Sequence, residues 1–136
     1  MTPDKQILVL KKDQKIVSSL LAYCEKHQIK SAWIWGLGAI QRAELSAYDL
    51  ENKKYLDQTF DAEMEIANLS GNVGQMDGKP ISHLHIVLTD KNMVAFGGHL
   101  KEATVAATCE IMILPLDQEI NRRFDPEIGL NLINNN

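Results

Sequence analysis

Only one stretch of this chain repeats its apolar residues at helical spacing, and most of the residues beyond it carry the marks of strands. In DQKIVSSLLAYCEKHQI, Ile16, Val17, Leu20, Leu21 and Cys24 recur along one helical face, as an amphipathic α-helix requires. Asp13 stands where an N-cap residue would, and the periodicity predicts a helix that ends near Gln28. Ahead of it, KQILVLK (residues 5–11) reads as a short strand.

From Ser31 onward the residues are those of a sheet. SAWIWGLGAIQRAELSAYDL is rich in β-formers, and Gly36 and Gly38 suggest a bend or bulge. In NKKYLDQTFDAEMEIANLSGNV, Met64, Ile66 and, less regularly, Leu69 alternate with Glu63, Glu65 and Asn68. Asp77-Gly78 is a turn signal, and further strands are predicted at 81–89, 93–100 and 104–114. The tail DQEINRRFDPEIGLNLINNN is mixed and polar, with its last residues expected to be loose. One principal α-helix near the N-terminus and a succession of antiparallel strands make an α+β fold. No repeat, low-complexity run or linker divides the 136 residues, so a single domain over 1–136 is expected.

Composition excludes more than it identifies. A formal net charge of −4 gives no overall attraction to a polyanion, so DNA contact would need a local basic patch. Cys24 and Cys109 lie far apart in apolar surroundings and read as buried free thiols. The four apolar residues of ILVL are too few for the core of a signal peptide, and no run approaches the ~18 apolar residues of a membrane helix. The expectation is a cytoplasmic protein without a membrane partner.

Three of the four histidines fall in SHLHIVLTDKNMVAFGGHL, residues 82–100. Strand residues two apart share a face, so His83 and His85 point the same way. With Lys91 at the centre of the turn, His99 falls directly across from His83, within the roughly 4.5–5.5 Å of cross-strand neighbours. Gly97-Gly98 could introduce a bulge that alters this. Three converging neutral imidazoles suit a divalent metal, zinc first, and a three-histidine set leaves a fourth position for water or a ligand. His27, near the helix C-terminus, is a favourable charge against the helix dipole.

Other signals are weaker. GLGA (36–39) lacks the third glycine and following helix of a dinucleotide fingerprint. GNVG (71–74) reads as a turn or a rim loop. Glu63 and Glu65 share a strand face and read best as solvated. Ser18, Ser19 and Ser82 lack a nucleophile-elbow context. Lys11, Lys12 and Lys15, and Arg122 with Arg123, read as ordinary surface charge.

EIANLSGNVGQMDGKPISHLHIVLTDKNMVAFGGHL, followed by VAATCEIMI, resembles the PPC domain, the plant-and-prokaryote conserved domain. The pattern is Glu65-Ile66 before Gly71-Asn72, then Asp77-Gly78, His83-x-His85, Gly97-Gly98-His99 and Thr108-x-Glu110-Ile111. WIWGLGAI (33–40) is similar to the family's early strand. The resemblance implies a compact α+β fold assembling as a homotrimer. Plant members carry the domain beside AT-hook segments, and stand-alone prokaryotic members are often labelled predicted DNA-binding proteins. His83, His85 and His99 match histidines typical of the prokaryotic branch. This chain departs from the plant pattern in having no Arg-Gly-Arg-Pro-like core, which together with its acidity counts against DNA.

Three functions remain. The favoured one is a homotrimeric binding or regulatory protein with a metal on the three histidines and room for a small ligand. A DNA-binding regulator is the family label's alternative. A metal-dependent enzyme is the third, with Glu63, Glu65 or Glu110 as possible base.

Overall fold

The computed structural model describes residues 4–134. The chain runs through β1 (Gln6–Lys11), α1 (Ile16–Lys26), β2 (Ala32–Asp49), β3 (Lys54–Phe60), β4 (Met64–Met76), β5 (Lys79–Thr89), β6 (Ala95–Pro115), β7 (Arg122–Asp125) and β8 (Leu130–Ile133). It is the expected α+β arrangement, with six antiparallel strands in the order β1-β6-β5-β4-β2-β3 and one helix among the described residues.

Two strands are long enough to change the sheet's shape. β2 has 18 residues and β6 has 21, and β2 pairs with β4 on one side and β6 on the other. Since β4 pairs with β5 and β5 with β6, the four strands close into a ring. Bulges at Gly36/Gly38, Gly38/Ile40, Ile40/Arg42 and Glu44/Leu45 supply the bending that closure needs. The strands predicted at 93–100 and 104–114 are one strand, because β2 pairs across the junction with Leu100, Glu102, Ala103 and Thr104. The 52–73 run is split instead at Asp61–Glu63.

Period-two alternation fills the ring. Leu84, Ile86 and Leu88 of β5 and Val105, Ile111 and Ile113 of β6 are buried, with Ile34 and Ile40 of β2 against them. Each such side chain contributes roughly 1.5–3 kcal/mol over its exposed state. Ile16, Leu20 and Cys24, four apart, form the fully buried stripe of α1, which packs on β6, β5 and β1. Cys24 and Cys109 are free and buried, and burial raises their pKa values to about 11 and about 12.

The helix is not capped as the sequence suggested. Lys15 is the N-cap and makes no side-chain cap bond. The N–H groups of Val17 and Ser18 donate instead to the Glu102 carboxylate of β6, at 2.8 and 3.1 Å. Asp13 sits in a tight turn at φ 73°, and its carboxylate accepts from Gln41 and Lys12. A distant strand thus took over the capping that the local sequence offered, and the helix ends at Lys26 with His27 as C-cap.

The tail also differs. Residues 122–133 form the β7–β8 hairpin, which packs on β4; the last two residues lie outside those described. No described helix is long and apolar enough to cross a membrane.

Candidate metal centre

The β5–β6 hairpin holds the histidines, and its loop is longer than the sequence suggested. Asp90 organises it: its carboxylate accepts from the N–H groups of Asn92 and Val94 at 2.8 and 3.0 Å, and Met93 adopts φ 62°. The centre therefore moves from Lys91 to Asn92, and His99 pairs with His85 rather than with His83. The shift moves the partner by two residues, an even number, so all three side chains keep the same face. Gly97-Gly98 introduces no bulge; pairing is continuous from His85↔His99 to Thr89↔Ala95.

The ring centroids of His83–His85, His83–His99 and His85–His99 are 5.1, 5.5 and 6.0 Å apart. One nitrogen from each ring lies within 4.8 Å of the others. A tetrahedral zinc with ~2.0–2.1 Å bonds spaces its ligand nitrogens by about 3.3 Å, so modest side-chain rotation would bring the three to that spacing. Desolvation, then the Arg122 cation and the two other histidines, lower the His83 pKa to about 4. His99 is lowered too, by desolvation and then by His85, Arg122 and Lys101. Both rings are thus held neutral at neutral pH, the form in which imidazole ligates. The donor set fits a divalent metal.

A cross-strand row, Ser70–His85–His99–Ser46–Asp57, runs through the cluster from β4 to β3. At its far end Ser46 Oγ donates to Asp57 at 2.7 Å and Lys101 pairs with the same carboxylate at 2.8 Å. Tyr55 lies against His99, with ring centroids 5.4 Å apart. GNVG is no loop. It lies inside β4, where Gly71 lets the strands approach closely and Asn72, buried, faces His83.

The sequence reading of Arg122 as ordinary surface charge does not hold. β7 brings its guanidinium to the cluster, where it donates to Asn72 Oδ1 at 2.8 Å and to the Asn131 carbonyl at 2.9 Å. Its Nη2 also lies 3.3 Å from His83 Nδ1. The contact spans 39 residues and depends on a hairpin that the polar tail did not announce.

The other candidates stand apart from the histidines. Glu65 pairs with Thr89, about 13 Å along β5 from His85 by strand rise. With Glu63 it lines an open depression of about 510 Å³. Glu110 is eleven residues further along β6 than His99, exposed between Val9 and Leu37. His27 caps α1, its ring 4.2 Å from that of Tyr23.

Residues 3–117 match the family model of the Plants and Prokaryotes Conserved (PCC) domain. A metal-containing protein of Archaeoglobus fulgidus shares 34% identity over 98% of this chain and 94% of its own, with a TM-score of 0.91. A candidate DNA-binding protein of Bacteroides thetaiotaomicron shares 32% over 99% and 96%, at 0.93. A plant- and prokaryote-conserved protein of Pyrococcus horikoshii shares 26% over 98% and 93%, at 0.91. No curated protein matches in sequence.

Proposed function

This chain belongs to the Plants and Prokaryotes Conserved domain family, and we propose that it is a homotrimeric binding or regulatory protein centred on a divalent metal held by His83, His85 and His99. The observation that carries this is the convergence of three imidazole nitrogens within 4.8 Å, two of the rings being held neutral by their surroundings. The Archaeoglobus relative, named for its metal, supports it. Zinc is the metal that such a set suits best, with its fourth position left for a small ligand. A binding role accounts for the site better than hydrolysis, because neither Glu65 nor Glu110 reaches it as a base.

Self-association is supported by an exposed apolar strip across β1, β6 and β2. The row Ile7–Met112–Trp35 lies beside Val9 and Leu37, which flank Glu110, and all five apolar residues are exposed; exposed apolar patches of this kind mark interfaces. Light scattering should give three times the 15.3 kDa chain mass, and Trp35→Glu should lower it. A wild-type mass near the monomer would end the trimer reading.

The metal is tested by elemental analysis of untagged protein purified without added chelator. One ion per chain is expected. His83→Ala, His85→Ala and His99→Ala should each lose most of it, and His27→Ala should keep it. Full content in His99→Ala would refute the three-histidine set. The second reading, a DNA-binding regulator in the cytoplasm, is favoured by the description of the Bacteroides relative and opposed by the net charge of −4.

A further inference from the structure

Arg122 is held in a way that a structural role alone does not explain. Its Nε is buried without a hydrogen-bond partner, and no acidic side chain among the described residues forms an ion pair with it. Asp57, the carboxylate at the end of the histidine row, is committed to Ser46 and Lys101. Arginine can only donate, so its contact with His83 Nδ1 needs the lone pair on that nitrogen.

That requirement conflicts with metal binding. A neutral imidazole has one free in-plane lone pair. If His83 ligates through Nδ1, Arg122 is displaced directly. If it ligates through Nε2, the proton moves to Nδ1, and two donors then face each other. Either way a loaded site removes an acceptor from Arg122 and sets a second cation near it. Three neutral imidazoles offset none of the metal's charge, so the pair of cations is stabilised only by an anion between them.

Resting on the metal reading above, we propose that Arg122 and the metal are the two anchors of one anion site, and that its ligand is a small carboxylate. A cavity of about 180 Å³ adjoins both anchors, with Tyr55, Ser82 and the apolar Ile81, Leu130 and Leu132 among its walls. It has room for roughly six waters' worth of atoms. One carboxylate oxygen serves the metal and the other serves the guanidinium, which is matched to such a group. A short apolar tail then meets Ile81, Leu130 and Leu132. Phosphate would leave further charged oxygens against those same side chains, which is costly.

The protein loaded with cobalt(II) tests this, because the visible bands of cobalt report a change in its coordination. Titration with propionate should shift the spectrum saturably, and phosphate should bind more weakly. In Arg122→Gln the cobalt content should be unchanged while the propionate concentration at half-saturation rises at least about tenfold, the loss of one charge-assisted contact. Equal half-saturation in Arg122→Gln overturns the proposal, and tighter binding of phosphate overturns the carboxylate assignment. If Arg122→Gln fails to fold, Arg122→Lys decides. It keeps the charge without the fork, so propionate should bind several-fold more weakly, and unaltered binding overturns the proposal. Absence of cobalt from the wild type refutes the metal site itself, an outcome separate from any difference confined to the Arg122 variants.

Discussion

Gly71→Ala is the substitution that couples the fold to the histidines most directly. Gly71 lies in β4 at φ +153°, a region that side chains rarely adopt, and a Cβ there would fall 1.9 Å from the carbonyl oxygen of His83. Real Cβ atoms do not approach closer than 3.0 Å, so the backbone of β5 must retreat by the difference of 3.0 and 1.9, 1.1 Å. The backbone strain costs about 1–3 kcal/mol, and two weakened ladder bonds add about 1 kcal/mol each. The resulting ~3–5 kcal/mol is a large share of a domain's usual 5–15. For a chain of this length the melting temperature falls about 3–4 °C per kcal/mol, giving a drop of about 9–20 °C by calorimetry. Gly78→Ala is the control. Its φ is +75° but no atom lies within 4 Å of the added Cβ, so backbone strain alone should lower the melting temperature by roughly 3–12 °C. Metal affinity should also fall at least about tenfold in Gly71→Ala, because His83 moves with its carbonyl. Equal melting temperatures for the two variants would refute the steric argument.

The metal-free protein should lose stability as pH falls from about 6.5 towards about 4. His83 and His99 have folded pKa values below the unfolded reference of ~6.5, so the unfolded chain takes up protons first and folding opposes protonation. Urea midpoints across that range should fall less steeply in His83→Gln; an unchanged slope would contradict the assignment. Ser31→Ala should cost about 1–3 kcal/mol in urea unfolding, since Ser31 is buried and its Oγ accepts the Ile120 N–H at 2.7 Å; a loss under ~0.5 kcal/mol would show that this N–H finds another acceptor. Duplex DNA should bind weakly at physiological salt, with log affinity falling by about 0.9 per phosphate contact as log salt rises. Tight sequence-selective binding there would overturn the electrostatic reading.

Much of this architecture was legible because its signals are local. The buried stripe Ile16, Leu20 and Cys24 comes from helical periodicity, and the common face of His83 and His85 comes from strand pleating. What escaped the sequence depends on contacts between distant segments. Glu102 caps α1 from β6, although Asp13 was the nearer candidate. The unbroken run of β6 through 100–104 reflects pairing with β2, which residues 93–114 do not encode by themselves.

The register of the histidine hairpin shows why a shared face can be read from sequence even when the pairing partner is misplaced. Asp90 and Met93 lengthen the loop, and that displaced the partner of His99 from His83 to His85. Pleating has a period of two, so face identity depends only on parity, and an even shift preserved it. Arg122 had no such protection. Its place depends on the β7–β8 hairpin, on Asn72 being buried in β4 and on the Asn131 carbonyl, three conditions in separate parts of the chain. Residues that cluster can share one hairpin and leave a sequence pattern, as His83, His85 and His99 do. A residue that joins the cluster from outside needs only to arrive from somewhere, and Arg122 arrives from a segment whose composition reads as an ordinary polar tail.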